Sequence, residues 1–418
     1  MKIIADFHIH SKYSRATSQD MDLEHIYKSA QEKGITVVGT GDFTHPEWFQ
    51  GLKNKLEPAE QGFYRIKNLS EKTRDKVRFV ITGEISNIYT RAGKGRRVHN
   101  LIILPSLESA EKINNRLSWQ GNLKSDGRPI LGMDSEELLK IVMSIEPEGL
   151  FAPAHIWTPW FGILGSMSGF DSLEEAFGEN VKYIAGLETG LSSNPLMNWR
   201  LSSLDRFSLI SNSDAHSPSN LGREANVFDI DFNYTAMRDA IIKKDKSRFL
   251  YTIEFFPEEG KYHYDGHRLC QVRMSPQETK KVKGICPKCG RELTIGVLSR
   301  VDELADRELN FKPQNAIPYK NLVPLVEIIA QSLGVQPHTK TVAQHYQNLI
   351  QRFSNELNIL LDVPLSELNA FTLPEIAEGI DKVRKGELII EPGYDGEYGK
   401  VRIFQENKEG SILQSKLF

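Results

Sequence analysis

Seven short apolar runs punctuate the first 210 residues of the chain. They are Ile3–Phe7, Ile35–Thr40, Val77–Thr82, Val98–Leu104, Leu150–Ala154, Tyr183–Leu187 and Phe207–Ile210. Runs of this length bounded by polar residues predict buried strands. Helical signals lie between several of them. Asp22 caps a predicted helix over Leu23–Lys33 that Gly34 stops, and Asp134 opens another over Ser135–Ile145. Strands alternating with helices predict a parallel α/β barrel or a doubly wound sheet. In a barrel the functional groups project from the carboxyl ends of the strands.

The pattern changes beyond about residue 245. Residues 257–300 form a short polar segment holding all three cysteines. From about Ile317 apolar residues recur every 3.6 positions, which predicts helices over Leu322–Leu333, Thr341–Leu360 and Leu373–Lys385. A Gly-rich acidic turn, Glu391–Gly399, precedes a last predicted strand, Val401–Phe404. The expected organisation is therefore a first domain over 1–245, a Cys-containing module over 246–310, a helical domain over 311–410 and a tail over 411–418.

Composition narrows the class. The 418 residues are 39% hydrophobic and 26% charged, an ordinary globular balance. A formal net charge of −3 means that nucleic-acid binding needs a local basic patch. No segment is apolar for long enough to span a membrane, and Met1-Lys2-Ile3-Ile4 enters a strand without a signal peptide. An odd cysteine count, with a Cys-x-x-Cys pair, argues against a disulfide framework. A cytoplasmic enzyme is expected, with no membrane partner.

Chemistry gathers at the predicted strand ends. His8 and His10 flank one residue in Asp6-Phe7-His8-Ile9-His10, so strand alternation puts both imidazoles on one face. Imidazole is the commonest neutral metal ligand. Asp42, Glu84, His99, His155, Asp214 and His216 follow on later strands, all at carboxyl ends except His99, which opens its strand. Glu188 also ends a strand, as a substrate contact or a group behind the ligands. A set delivered from so many strand ends predicts a multinuclear metal site.

Three further segments carry candidate chemistry. Arg91, Lys94, Arg96 and Arg97, interleaved with two glycines between Glu84 and His99, suit a loop that approaches phosphates. Trp157 and Trp160, directly after His155, are candidates for contact with nucleic-acid bases. Cys286-x-x-Cys289 with His267-x-x-Cys270 has the spacing of a closed four-ligand structural zinc site, His263 being the substitute for His267.

The ordered motifs His8-x-His10, Gly41-Asp42, Gly83-Glu84, His99, His155 and Ser213-Asp214-Ala215-His216 resemble those of the PHP (polymerase and histidinol phosphatase) superfamily. More narrowly, Ser14-Arg15-Ala16-Thr17, Gly41-Asp42-Phe43-Thr44-His45-Pro46, Tyr262–His267 and Gly296–Arg307 resemble the endonuclease Q family. The resemblance implies a distorted seven-stranded (β/α) PHP barrel, a small zinc-binding module and a C-terminal helical domain. It implies two or three divalent ions (Zn, Mn or Mg) in the barrel, one structural Zn, and damaged DNA as partner. It also implies metal-dependent nicking 5′ to abasic sites or deaminated bases such as uracil, hypoxanthine and xanthine. A histidinol-phosphate-type phosphatase and a non-enzymatic DNA-binding scaffold are the alternatives, and the extra modules and the full ligand set argue against them.

Two departures from the wider superfamily stand out. Arg15 replaces an acidic or histidine ligand and suits a phosphate clamp. Asp42 is followed by Phe43, with His45 two residues further on as the remaining histidine candidate. Clustered ions stabilise both the attacking and the leaving oxygen of a phosphodiester, with Glu84 or Asp214 able to bridge two of them. Finally, Gln414, Leu417 and Phe418 at the C-terminus resemble the short peptides that hold the bacterial sliding clamp.

Overall fold

The computed structural model describes residues 1–69 and 77–405. All seven apolar runs are strands: β1 (Lys2–Asp6), β2 (Val37–Gly39), β3 (Arg78–Arg91), β4 (Lys94–Leu104), β5 (Leu150–Pro153), β6 (Gly186–Glu188) and β7 (Ser208–Ile210). The helix over Leu23–Lys33 is capped by Asp22 and ends at Gly34, and the one over Ser135–Ile145 is capped by Asp134.

Their pairing is mixed. β1 runs parallel to β2 and β2 to β3, while β3–β4 and β4–β5 are antiparallel and β6–β7 is parallel. The Ala185 amide donates to the Phe151 carbonyl, and the Ile156 amide to the Glu188 carbonyl, which ties β5 to β6. The His10 amide donates to the Ala215 carbonyl, which joins the end of β1 to the chain after β7.

The largest difference from expectation is the length of β3 and β4. They form an uninterrupted antiparallel hairpin from Ile81↔Leu104 to Arg91↔Lys94. The basic stretch expected as a loop is its tip. Ala92 and Gly93 both have positive φ (51° and 74°), the conformation of a two-residue turn whose twist matches paired strands. Consequently Glu84 and His99 sit within strands and not at strand boundaries.

The sheet also continues past residue 245. Ala225–Asp229 pairs with β1, Phe249–Glu254 pairs with it in turn, and Tyr319–Asn321 follows. The cysteine segment contains one small ladder, Asp265–His267 with Val272–Met274, over a minor core of Val272, Cys286 and Leu293. The helix expected over Thr341–Leu360 is broken: Ser354 takes φ 76° and Asn355 caps a new helix, giving Lys340–Phe353 and Glu356–Leu361. Glu356 then reaches the helix over Leu23–Lys33. Its carboxylate lies 2.7 Å from the buried Lys33 ammonium, 2.9 Å from the Tyr346 hydroxyl and 3.0 Å from the Leu325 amide.

Candidate metal centre

His8 and His10 leave the end of β1 on one face, as strand alternation requires, with ring centroids 5.3 Å apart. Both are buried. The Nδ1 of His8 lies 3.0 Å from each oxygen of Glu188, and that of His10 lies 3.0 Å from Asp42 Oδ1. Carboxylates behind an imidazole fix its Nδ1–H tautomer and turn the Nε2 lone pair inward. Neither Nε2 has a hydrogen-bond partner, and neither does Asp214 Oδ1, which stands 3.0 Å from His10 Nε2.

Glu84 is the centre of the arrangement. Its Oε2 lies 3.4 Å from His8 Nε2 and 3.3 Å from His10 Nε2. Its Oε1 lies 2.8 Å from His99 Nδ1 and 3.0 Å from His155 Nε2. One carboxylate thus joins two donor groups, His8–His10–Glu84–Asp214 and Glu84–His99–His155, each with ligand atoms within 4.8 Å of one another. The antiparallel register explains part of this: Ser86 faces His99, so Glu84 is a diagonal neighbour of His99 across the hairpin.

Electrostatics holds the carboxylates ionised and His99 neutral, while His8 and His10 keep a proton that an arriving cation would displace. Burial would raise the Glu84 carboxyl, but His99 and Arg128 hold it well below the usual range. Burial would likewise raise Asp214, which His10 and His8 hold far lower. Burial lowers His99 to about 4, so its imidazole is neutral at ordinary pH. For His8 and His10 burial opposes the charge, yet Glu188 and Asp42 respectively carry the pKa well above normal. Unpartnered imidazole nitrogens beside ionised carboxylates, sealed from water, are a donor set that fits divalent ions.

The backbone is unusual at the same places. Asp42, His155 and Asp214 all adopt positive φ, at 49°, 31° and 47°. Left-handed backbone at a non-glycine residue costs energy that the surrounding structure must hold in place. Gly41, at φ 62°, passes so close to the Ile9 carbonyl that any Cβ would overlap it.

Several expected ligands stand elsewhere. Asp42 belongs to neither group, because its oxygens accept from the Ser11 amide and hydroxyl, from Ser14 and from His10. His45 caps the helix Pro46–Lys55 and stacks on Tyr13 at 4.4 Å. His216 is close, 4.5 Å ring to ring from His10, but its Nδ1 faces the Asp214 carbonyl at 2.9 Å and it too lies outside both groups. Arg15 is exposed, and its amide approaches Asp126. The guanidinium at the site is instead that of Arg128, with Nη1 3.0 Å from Glu84 Oε2. Glu188, besides His8, accepts from the His155 amide and Asn212.

The nucleic-acid candidates divide as well. Trp157 is fully buried and donates to Asn198 Oδ1 at 2.8 Å, so it cannot meet a base. Trp160 is half-buried, and its neighbour Phe161 packs on the His99 ring at 4.4 Å. On the hairpin, Arg91 is held by Asp134 and Glu136, while Arg96 donates to the Gly169 carbonyl and stacks over Phe170. Lys94 and Arg97 are exposed.

His267, Cys270, Cys286 and Cys289 converge as a second cluster, with His267 Nδ1 3.4 Å from Cys289 Sγ. His263 is buried against Tyr264 and takes no part. Burial pushes the Cys286 thiol up, but the amides of Lys288 and Cys289 draw it down to about 6, as suits a thiolate ligand. Gln414, Leu417 and Phe418 lie outside the described residues. No helix among the described residues is long and apolar enough to cross a membrane.

Histidines and carboxylates converging on one shared glutamate form the kind of donor set with which metal-dependent hydrolases act on phosphoesters. Comparison with known proteins narrows the class. The structure of the lesion-specific endonuclease PfuEndoQ from Pyrococcus furiosus superposes with a TM-score of 0.85 at 32% identity, covering 100% of this chain and 98% of that one. A structure of endonuclease Q in complex with a 27-mer duplex carrying an abasic lesion gives 0.83 at 33% identity, over 97% of this chain and 98% of that one. The chain belongs to the endonuclease Q family.

Two uncharacterised proteins are also similar. MJ0043 of Methanocaldococcus jannaschii is 35% identical over 253 residues, a match spanning 59% of this chain and 31% of that protein. YqxK of Bacillus subtilis is 29% identical, over 96% of this chain and 99% of that protein. Residues 324–387 match the family model of the MJ0043 C-terminal domain.

Proposed function

We propose that the protein is a metal-dependent DNA endonuclease that opens the phosphodiester 5′ to a damaged nucleotide, at abasic sites and at deaminated bases. The observation that carries this is Glu84, whose two oxygens serve two separate donor groups. The likeness over the full chain to a lesion-specific endonuclease, and to one solved on abasic DNA, supports the substrate class.

His8, His10, Glu84 and Asp214 would hold one ion and Glu84, His99 and His155 another, accounting for two of the two or three expected. Such ions supply Lewis acidity at phosphorus and lower the pKa of coordinated water. Glu188 and Asp42 orient His8 and His10. Asp214 and Arg128 keep 27% and 26% of their side chains exposed, against 10% or less for the other donors. Substrate therefore approaches from their side, where the Arg128 guanidinium matches phosphate oxygens. Phe161 shields the His99 face, and Lys94 and Arg97 offer backbone contacts from the hairpin tip.

In this proposal the hydrogen-bonded circuit from β1 to β7 is the distorted seven-stranded barrel. The second cluster is a structural zinc site, and the helices after residue 311 form a third domain. The tail residues Gln414, Leu417 and Phe418 would tether the enzyme to a sliding clamp.

The test is a panel of oligonucleotides carrying uracil, hypoxanthine, xanthine or an abasic site, assayed with zinc, manganese or magnesium and with a chelator. Nicking 5′ to at least one lesion, abolished by chelation, is expected. Hydrolysis of histidinol phosphate with no nicking of any oligonucleotide would sink the proposal.

A further inference from the structure

A line of rings leads away from the metal centre. Phe161 lies on His99, and the preceding residue, Trp160, places its ring 5.3 Å from Tyr262 at 69°. The Lys261 ammonium sits 5.7 Å from the Tyr262 ring and 5.8 Å from the Tyr398 ring. Tyr398 belongs to the C-terminal Gly-rich turn and is 73% exposed. In the same turn, a Cβ on Gly396 would stand 3.6 Å from the Arg268 guanidinium and 4.0 Å from the Tyr262 hydroxyl. Three distant parts of the sequence thus contribute rings and cations to one continuous strip that begins at a donor histidine.

Its chemistry is specific. Lys261 and Arg268 are exposed and form no ion pair among the described residues; Asp395 and Glu397 are the acidic residues of the turn beside Tyr398, and Asp395 accepts from the Arg268 amide at 2.6 Å. Half-exposed aromatic faces alternating with unpaired cations suit a chain that repeats flat rings and anionic linkages. A duplex hides its base faces, whereas a strand opened around a lesion presents them. Stacking on aromatic side chains is tolerant of sequence because every base has a π-face.

We propose, on the basis of the damaged-DNA substrate argued above, that Trp160, Tyr262 and Tyr398 with Lys261 and Arg268 form a track for the unpaired nucleotides flanking the lesion. The rings stack on bases while the cations neutralise phosphates. The surface is separate from the basic hairpin tip, which carries no aromatic side chain between Arg91 and Arg97.

The test is titration of fluorescein-labelled single-stranded and undamaged duplex 20-mers with full-length protein, read by anisotropy over a range of salt. Tyr398→Ala is expected to weaken single-strand binding by about tenfold while leaving duplex binding nearly unchanged, and Tyr398→Phe to restore it. Lys261→Gln should reduce the magnitude of the single-strand salt slope by roughly 0.7. Wild-type affinity and slope in both variants, with a lowered melting temperature, would make the strip an internal clip and overturn the track. Nicking of an abasic duplex by wild type is measured in parallel. Tyr398-dependent single-strand binding without nicking would keep the track and reject the lesion reading instead.

Discussion

The two ligand clusters of this protein are built on opposite principles. The histidine–carboxylate cluster is buried and strained, and its members are held from behind: Asp42 and Glu188 occupy the outer nitrogens of His10 and His8, and are themselves bound by serines, an asparagine and backbone amides. The Cys/His cluster rests on a three-residue core and a single short ladder. The first site is held in shape by a large core, and metal arriving there finds its ligands in place. The second has so little packing of its own that metal binding would have to supply its folding energy.

That contrast predicts separable losses. The largest effect is expected for Asp214→Asn, which should bring nicking below detection while circular dichroism and the zinc held by the cysteines stay unchanged. A coincident loss of structure would mean that the strands around this cluster, too, depend on bound metal for their fold. Next, Cys286→Ser should cost one zinc equivalent and loosen residues 257–300, seen as faster proteolysis there, with metal at the histidine–carboxylate cluster retained. Equal zinc content in wild type and variant would refute the four-ligand site.

Smaller changes probe the groups behind the ligands. Asp42→Asn and Glu188→Gln should each lower metal affinity or nicking by about 10–100-fold, since they disturb imidazole orientation and leave the donors in place. Loss as complete as that of Asp214→Asn would instead make Asp42 or Glu188 a direct ligand.

The smallest effect is on pH dependence, where the regions should diverge. Burial pushes the Glu254 carboxyl up to about 8, against the hydroxyls of Thr252, Thr189 and Ser211. A folded-state pKa above the ordinary 4.5 gives stability that is complete below 4.5 and is lost as pH rises through 8. The Cys/His cluster should run the other way, because thiols must ionise to bind a metal. Between pH 5 and 8.5 the melting temperature should fall while zinc affinity of the Cys/His cluster rises, and Glu254→Gln should lessen only the former, because Glu224 beside it is raised as well. Parallel melting curves for wild type and variant would contradict the assignment.

Much of the centre was legible in the sequence because its logic is local. Two-residue alternation at the end of β1 places His8 beside His10, and apolar runs mark the strands that bring Glu84, His155 and Asp214. Cys-x-x-Cys with His-x-x-Cys likewise specifies its partners by spacing. What escaped depends on tertiary placement. Arg128 lies in an aperiodic polar segment, and only the folded chain puts it on Glu84. Asp42 and a ligating aspartate are chemically the same; three hydrogen bonds from Ser11 and Ser14 make it a support. The hairpin was hidden because Arg91–Arg97 has the composition of a loop, its strand character coming from pairing alone. Trp157 and Trp160 differ by three positions, yet one is core and one is surface.

The left-handed backbone at Asp42, His155 and Asp214 bears on how this protein would respond to selection for heat resistance. Each such residue costs about 1 kcal/mol that glycine would avoid. Glycine would relieve that strain, yet at Asp214 it would also strip the buried His8 and His10 of a balancing charge. Backbone relief and charge balance pull in opposite directions at the centre, so a hardened variant would have to gain its robustness elsewhere in the fold.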